Sequence, residues 1–420
     1  MKRYAWLALP LAASMTLAAC SKDDAADSVA SEPAAAETTA AEAAAETTAA
    51  DTAAAETTVA ADTAAADTAA AAAAGPAALK GVCPETVVIQ LDWQPEAEHG
   101  AMYQLVGDGP TWDKDKKKVS GPLVDGGADT GVKVEIRTGG PAIAFESPTS
   151  TAYKDPSITL AYVGTDDQVA TSGEFPMKAV VAPLLQNPQM IMWNPELYPD
   201  VTAIKELPKD VKVRVFGPGA YQTFLIADGQ LTKDQIDGSY KGNPAAWVAD
   251  NGKSAQQGFG SAEPFIYKNE VKEWGKDVKY QYVFQAGWDP YAAALAVRGA
   301  DFDKMAPCLK LLVPVIQRAQ RDYIKDPAET NALIIEAVKQ YDTGWVYTEG
   351  VAAYSVATQL KDGLVGNSPD GTLGSFDLGR VEAFIAKAAP IYSAEGSKVK
   401  AAIAPADIVT NEFIDPSVKL

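Results

Sequence analysis

The sequence predicts an α/β protein with two sheets of mainly parallel strands flanked by helices. From residue 84 onward, short runs of β-branched residues alternate with helix-type patterns, which is typical of βαβ units. The alternation occurs once over residues 84–183 and again from residue 189, and a helix-rich stretch follows residue 302. About 340 of the 420 residues follow the N-terminal tract, which is enough for two domains with their own cores.

The first twenty residues predict an export signal. Lys2 and Arg3 precede an apolar run over residues 6–13, which is too short to span a bilayer. The run closes on Leu17-Ala18-Ala19-Cys20, which resembles the bacterial lipobox, so we expect residues 1–20 to be a lipoprotein signal peptide and Cys20 to be lipidated. The alternative is an ordinary secretory signal with a chance cysteine. Lipidation would anchor the exported protein to the outer face of the cell membrane.

Residues 21–79 predict a disordered tether rich in Ala, Thr and Glu. They contain no aromatic residue, so they cannot bury enough apolar surface to offset the entropy of ordering. The tract also contributes to the formal net charge of −19. Because the remainder is acidic as well, we expect no nucleic-acid partner.

The first βαβ run contains four predicted strands. They cover residues 86–91, 132–136, 159–163 and 179–182. A helix is predicted to begin within 98–106 and a short helix to cover 143–153. Residues 107–131 are rich in Gly, Asp and Lys, and they predict a surface loop.

The second run begins with predicted strands at 189–193, 211–216 and 279–285. A helix over 219–229 follows a Gly-Pro-Gly turn. The C-terminal third predicts helices over 310–323, 328–341, 351–360 and 378–389.

Residue counts exclude several kinds of chemistry. His99 is the only histidine, so a His-based zinc site or a Ser-His-Asp triad is nearly excluded. The spacing of Cys83 and Cys308 matches no metal or redox motif. We therefore expect no metal, no cofactor and no catalytic residue.

Three segments resemble one family of proteins. Leu91-Asp92-Trp93-Gln94-Pro95 and Glu98-His99-Gly100 resemble the first strand, loop and helix of solute-binding proteins of the thiamine-pyrimidine and nitrate/sulfonate/taurine type. Members typically read Asp-Trp-x-Pro-Asn-x-x-His there, and Glu96 stands where they have Asn. Gly258–Pro264 and Val409–Ile414 resemble two later segments of the same family, in family order.

The resemblance implies a type II periplasmic-binding-protein fold with a ligand between two lobes. Lobe one would comprise residues 84–183 with 289–415, and lobe two residues 184–288. The chain would then be the extracytoplasmic binding component of an ABC importer, a monomer that meets a membrane permease and is not an enzyme. An enzyme alternative is the fungal thiamine-pyrimidine synthase, which shares the fold but uses histidine chemistry and a cysteine-rich segment. A third alternative is an adhesive or scaffold lipoprotein.

The same mapping implies a disulfide between Cys83 and Cys308. Cys83 precedes the first strand, and Cys308 opens a helix of the same lobe. An exported protein can keep such a bond. Two buried free thiols are the alternative.

Four loops leave strand ends and are expected to converge on the cleft: 92–99, 137–142, 164–168 and 217–222. The candidate ligand-binding residues on and around these loops are Trp93, His99, Tyr103, Gly139, Gly140, Asp166, Trp193, Tyr221, Glu263 and Trp288.

Several of these candidates have a structural alternative. The Trp93 ring could stack on a flat ligand or pack the rim of lobe one. His99 could be a structural group at a helix start. Gly139 and Gly140 could offer N–H groups to an anion or form a plain turn. Asp166 could cap a helix.

The predicted cleft is rich in rings and poor in fixed positive charge. Arg137 is the only base just after a strand end. Aromatic faces bind flat molecules, and the carboxylate of Glu263 can accept hydrogen bonds from ring or exocyclic N–H groups. The sequence therefore favours a flat nitrogen heterocycle as ligand. A sulfonate, nitrate or another small anion, held by Arg137 and Gly139-Gly140, is the rival.

Overall fold

The computed structural model describes residues 78–217 and 219–420. The strands in this part are β1 (Thr86–Gln90), β2 (Thr111–Asp113), β3 (Lys118–Asp125), β4 (Ala128–Arg137), β5 (Leu160–Val163), β6 (Met177–Val181), β7 (Gln189–Trp193), β8 (Val213–Arg214), β9 (Ile236–Asp237), β10 (Ala255–Phe259), β11 (Lys279–Tyr282) and β12 (Ala294–Arg298). The α-helices are α1 (Gly100–Tyr103), α2 (Pro148–Lys154), α3 (Thr165–Thr171), α4 (Ala220–Ala227), α5 (Ala245–Ala249), α6 (Glu263–Asn269), α7 (Phe302–Lys325), α8 (Ala328–Tyr341), α9 (Glu349–Lys361), α10 (Leu378–Ala394) and α11 (Pro405–Ile408). The expected signal peptide, the lipidated Cys20 and the tether lie outside the described residues, apart from the last two tether positions.

The first lobe is built on a seven-stranded sheet in the order β2-β3-β4-β1-β5-β12-β6. β1 pairs in parallel with β4 and β5, whereas β12 is antiparallel to both β5 and β6. The sheet lies between helices, so β5 is buried along its whole length and is a continuous apolar run.

The second lobe is built on a five-stranded sheet in the order β11-β7-β10-β8-β9. β7 is antiparallel to β10 and β11, whereas β8 is parallel to β9 and β10. In each lobe, the strand that follows a crossover runs opposite to both of its neighbours: β12 after the segment 283–293 in the first lobe, and β7 after the segment 182–188 in the second. In the first lobe β3 is also antiparallel to both of its neighbours, β2 and β4.

These features confirm the predicted fold class. Two α/β lobes are joined by two crossovers, which is the two-lobe architecture expected of a periplasmic-binding-protein fold. Both sheets are mixed and not mainly parallel as expected, because the edge hairpin and the strands that follow the crossovers pair antiparallel with their neighbours. The lobes are also held together by packing, because α10 packs against α3 of the first lobe and against α4 of the second. None of the helices in the described residues is long and apolar enough to cross a membrane.

The prediction of a loop over residues 107–131 is wrong. This segment forms β2, β3 and the start of β4, a hairpin that extends the first sheet at its edge. Val119, Gly121 and Leu123 alternate inward along β3, and the Trp112 ring packs against Tyr341 of α8. Pro122 between these positions and Gly121 at one of them hid the period-two pattern.

Two predicted helices are shorter than expected. The helix predicted within 98–106 is a 3-10 turn followed by the single turn α1. The helix predicted over 143–153 begins only at Pro148, because Ser147 accepts a hydrogen bond from the Ser150 N–H and proline is tolerated in the first helical turn.

A disulfide joins Cys83, just before β1, to Cys308 in α7. The Cα atoms of the two residues are 4.7 Å apart. α7 packs across one face of the first sheet through Leu309, Leu312 and Ile316. The bond therefore fixes the point where the chain enters the first lobe to the longest helix of that lobe.

Candidate functional site

A cavity of about 270 Å³ lies between the lobes, at the carboxyl ends of β1, β8, β9 and β10. Ligands of open α/β sheets bind at this end of the strands. The first lobe contributes the loop after β1 and the loop between α8 and α9, and the second lobe contributes the rest. The lining residues are Trp93, Glu96, Gln189, Phe216, Gly219, Tyr221, Gln222, Tyr240, Gly242, Gln257, Gly258, Phe259, Ala262, Glu263, Ile266 and Trp345.

Four aromatic rings form walls of this cavity. The ring of Trp93 lies edge-on to Phe216, with centroids 5.7 Å apart and planes at 89°, and edge-on to Trp345 at 6.4 Å and 87°. Phe216 in turn meets Tyr240 at 6.3 Å and 87°. Rings at right angles to one another present their faces along different directions. We call these four residues the aromatic box.

Phe145 lies next to the box and is 57% exposed. Its ring centroid is 6.0 Å from that of Trp93 and 5.7 Å from that of Phe216, so it contacts both lobes. Ala144 and Phe145 both have left-handed backbone, with φ of 53° and 60°. Each such non-glycine residue costs about 1–2 kcal/mol. The Phe145 N–H donates to the Gly140 carbonyl at 2.9 Å and holds the turn in this shape.

Glu96 lines the cavity with a buried carboxyl group that has no partner among the described residues. It is 6% exposed, and no hydrogen bond or ion pair reaches its carboxyl group from the described residues. Burial raises the pKa of Glu96 well above its usual range, and the neighbouring carboxylates of Glu98, Asp92 and Glu263 raise it further.

Glu263, at the first position of α6, is bound by its own loop. The Phe259 N–H donates to Oε2 at 2.6 Å, and the Tyr240 hydroxyl lies 3.5 Å from Oε1. Burial raises the pKa of Glu263 to about 7, with Glu98 adding to the shift. A Cβ at position 258 would lie 2.9 Å from the Glu263 side chain, so only glycine leaves room for this carboxyl.

Glu98 connects the two lobes behind the cavity. Its Oε1 accepts hydrogen bonds from the hydroxyls of Ser261, in the second lobe, and Ser355, in α9 at 3.2 Å. The residue is 5% exposed. Hydroxyl donors thus satisfy Glu98, whereas Glu96 has no such donor.

No Lys, Arg or His lines the cavity within residues 78–217 and 219–420. Arg137, the base expected near the cleft, is bound to Glu135 and Asp155 at 2.7 Å each. These two carboxylates occupy the guanidinium, so Arg137 is not offered to a ligand in the cavity.

Three of the candidate residues meet in the cavity: Trp93, Tyr221 and Glu263. The Tyr221 hydroxyl donates to the Gln257 side-chain oxygen at 2.8 Å, and burial raises the pKa of Tyr221. Trp93 and Tyr221 were found because each follows a predicted strand, and Glu263 because it lies in a segment that resembles the family.

Asp166 lies in a neighbouring, more open cavity of about 600 Å³. The two cavities share Gln189, Gly219 and Tyr221 as a common wall. Burial raises the pKa of Asp166 to about 6, and the charge of Asp167 contributes. The Asp167 N–H donates to Asp166 Oδ1 at 3.0 Å, so Asp166 accepts a hydrogen bond within the first turn of α3 and also lines this cavity. Asp166 is not the N-cap, because α3 begins at Thr165 after Gly164.

Gly139 and Gly140 support the Trp93 loop. Their N–H groups donate to the carbonyls of Trp93 and Asp92 at 2.8 and 2.9 Å and are not free for an anion. A Cβ on Gly139 would lie 2.3 Å from the Asp92 backbone, and one on Gly140 would lie 2.8 Å from the Trp93 ring. The pair acts as a close-packed turn that positions the tryptophan.

The remaining four candidates lie outside this cavity. His99 is 2% exposed; its Nε2 is 2.7 Å from Asp92 Oδ1, and its ring meets Tyr162 edge-on. Tyr103 is buried in the core of the first lobe. Trp193 is buried at the end of β7, and Trp288 packs in the crossover, against rings of α4 and α10.

Sequence reasoning did not select Glu96, Phe216, Tyr240 or Trp345 as site residues. Glu96 carried a signal, since it departs from the family pattern inside a matched motif. Phe216 follows β8 directly, as Trp93 follows β1, and could have been found by the same rule. Trp345 comes from a loop about 250 residues further along the chain, and no local pattern indicates its position.

Comparison with known proteins gives structural matches only. No protein-family model and no curated protein matches the sequence. The periplasmic aliphatic sulphonate-binding protein SsuA from Escherichia coli matches with 14% identity over 76% of this chain and 90% of that one, with a TM-score of 0.48. The alkanesulfonate-binding protein SsuA from Xanthomonas axonopodis pv. citri, bound to MOPS, has 12% identity over 78% and 98%, with a TM-score of 0.49. The periplasmic nitrate-binding protein NrtA from Synechocystis PCC 6803 has 12% identity over 61% and 66%, with a TM-score of 0.38.

Proposed function

We propose that this protein is a solute-binding protein that captures a small molecule between its two lobes. The observation that carries the proposal is the cavity itself. It lies at the carboxyl ends of strands from both sheets, and it is walled by rings from both lobes. Two crossover segments join the lobes, and this arrangement allows hinge closure around a ligand.

We further propose that the ligand is small and flat, as a nitrogen heterocycle is. Mutually perpendicular rings offer both faces and edges to a planar molecule. A volume of about 270 Å³ is at the lower end for small-molecule sites. The carboxyl groups of Glu96, from the first lobe, and Glu263, from the second, supply hydrogen-bond partners for ring nitrogens and exocyclic amines. A sulfonate or nitrate is disfavoured, because Arg137 is paired elsewhere and the Gly139-Gly140 N–H groups are occupied.

In the same proposal, the protein is exported, anchored by a lipid on Cys20, and delivers its ligand to an ABC-type permease. The signal-like N-terminus and the tether-like composition of residues 21–79 support this part. The enzyme alternative receives no support from the cavity, since no histidine or cysteine of the described residues lines it.

The test is a binding screen with a matched pair of variants. Purified protein is titrated calorimetrically with thiamine pyrimidine precursors, other heterocyclic vitamins, sulfonates and nitrate. We expect a heterocycle to bind, and Trp93→Leu to weaken binding about fivefold to tenfold through lost ring contacts. Trp112→Leu removes a ring in the edge hairpin and serves as control.

Two results would contradict the proposal. Failure of every compound to bind would argue against the binding role. Equal affinity of the wild type and Trp93→Leu would place the ligand outside the aromatic box.

A further inference from the structure

We propose that the cleft selects an organic cation, with the positive charge of the ligand placed against Glu96 inside the aromatic box. The inference rests on the proposed binding role and adds the charge of the ligand to it. The ligand class is a quaternary or protonated nitrogen compound, and the flat heterocycles that fit best are those that carry a fixed positive charge.

The first step is the isolation of the Glu96 carboxyl group. A buried carboxylate without a partner is costly, and proteins normally pair it or bind it through donors. Glu98, two residues further along, shows the usual solution, with two serine hydroxyls donating to it. Glu96 lines the cavity and has no donor from the described residues, so its partner must come from the cavity.

The second step is the arrangement of the rings. A cation is attracted to the faces of Trp, Tyr and Phe, and several rings at right angles can surround one cationic group. Trp93, Phe216 and Trp345 offer three such walls from two lobes. Closure of the lobes would therefore complete the cage around the charge.

The third step is the charge balance of the site. Glu96 and Glu263 line the cavity, Glu98 lies behind it, and no base of the described residues lines it. A bound anion would make ionisation of these carboxyl groups still more costly, whereas a bound cation favours their ionised forms and offsets the repulsion between them. The net charge of −19 also attracts cations over longer distances.

Binding of a cation at this site is coupled to the release of protons from its carboxyl groups. The free cleft retains protons on its carboxyl groups because burial and mutual repulsion raise the pKa of Glu96 and bring that of Glu263 to about 7. A bound cation favours the ionised forms, so binding releases protons and becomes tighter as the pH rises from 5 to 8. The titratable groups that act on these two carboxyls are Asp92, Glu98, Tyr240, Tyr267 and Tyr347.

The experiment compares probes of one shape and different charge. The purified full chain is titrated at pH 7.5 with 1-methylnicotinamide, nicotinamide and nicotinate, which are flat rings of charge +1, 0 and −1. Choline and 3,3-dimethylbutan-1-ol form a second pair, quaternary nitrogen against carbon. We expect each cation to bind at least tenfold more tightly than its neutral counterpart. The affinity for the cation should fall at pH 5.

Three variants test the role of the carboxyl group. Glu96→Gln keeps the size and the hydrogen-bonding capacity but removes the charge, and we expect it to abolish the preference for cations. Glu263→Gln should reduce the preference in part. Glu85→Gln changes the same charge at the exposed amino end of β1 and should leave the preference intact.

The outcomes separate this inference from the binding role. Binding of the neutral or anionic probe at least as tightly as the cation overturns the inference and leaves the binding role standing. An unchanged preference in Glu96→Gln also overturns it. Failure of both cations to bind counts against the inference even if other solutes bind, and failure of all solutes counts against the binding role as well.

Discussion

The Glu263 side chain has two roles: it accepts a backbone hydrogen bond, and it lines the cavity. Its carboxyl accepts the Phe259 N–H at the start of α6 and also faces the aromatic box. Gly258 leaves the space that this side chain occupies. An alanine at 263 would orphan the Phe259 N–H, so glutamine, which keeps an acceptor oxygen, is the substitution that reports on charge.

The pKa of Glu263 predicts a stability that depends on pH. Because this pKa is raised in the folded protein to about 7, the unfolded chain loses its proton first as the pH rises above about 4.5. The free energy of unfolding of the ligand-free protein should therefore decrease between pH 5 and 7.5. We expect Glu263 to contribute on the order of 2 kcal/mol to this decrease, since part of the side chain reaches solvent.

Urea unfolding at pH 5 and at pH 7.5 measures this effect. The difference between the two pH values should be smaller in Glu263→Gln than in the wild type, and Glu85→Gln should behave as the wild type. The same pH dependence in wild type and Glu263→Gln would contradict the assignment.

At the scale of single elements, α7 and the disulfide hold the first lobe together. Cys308 is 2% exposed in α7, and its bond to Cys83 closes a loop with a sequence separation of 225 residues. β1 begins three residues after Cys83. The bond thus limits how far the amino-terminal strand can separate from α7 in the unfolded chain.

Loss of the disulfide should destabilise the protein by about 2–4 kcal/mol, chiefly because the unfolded chain gains freedom. Guanidinium unfolding of wild-type protein, with and without reductant, gives the value. The double variant Cys83→Ala, Cys308→Ala should unfold at the same midpoint in both conditions. Two free thiols in denatured, unreduced protein would contradict the bond.

Elements with a strong pattern could be predicted from the sequence. β7 and α8 begin and end where the sequence indicated, because a compact apolar run and a regular helical stripe leave little choice. β10 and β12 were not predicted. β10 contains two glutamines, and the Ala-rich β12 fits a helix as well as a strand.

The same limit applies to the site. Trp93 and Tyr221 could be found because each follows a predicted strand end, where parallel strands present their loops together. Glu263 could be found only through the resemblance of its segment to the family motif, since β10 was not predicted. Trp193 ends β7, but its ring turns into the core of the second lobe, and only the packing of that lobe decides this. Tyr240 and Trp345 reach the cavity through tertiary contacts that no local pattern indicates.

For the whole molecule, the contacts between the lobes lie on both sides of the cavity. Ser261 donates to Glu98 on one side, and Thr223 in α4 donates to Glu395, just after α10, at 2.5 Å on the other. α10 therefore lies beside the crossovers and against the second lobe. Further polar contacts join α9 and the residue after it to the second lobe: the Tyr354 hydroxyl donates to the Gly260 carbonyl, and the Tyr282 hydroxyl donates to Asp362. Opening of the lobes would exchange these contacts for contacts with water.

The lipid anchor is a further property of the whole molecule. Cys20→Ala should move the protein from the membrane fraction to the soluble fraction, because a cleaved and lipidated cysteine is the proposed attachment. Fractionation followed by immunoblotting measures this, with Cys83→Ala as a cysteine control. Unchanged membrane association of Cys20→Ala would exclude this anchor.

The position of β12 in the chain determines which of the two sheets can be completed first during folding. β12 lies between β5 and β6, which do not pair with each other, yet it follows the entire second lobe in the chain. A chain that crosses a membrane amino end first therefore exposes the facing edges of β5 and β6 until residue 298 has emerged. Once residue 282 has emerged, the five-stranded sheet has all its strands, whereas the first lobe still lacks β12 and is vulnerable to pairing with strands of other chains. The first sheet can therefore be completed only after the whole second lobe has crossed the membrane, because β12 is the strand that joins β6 to the rest of the sheet.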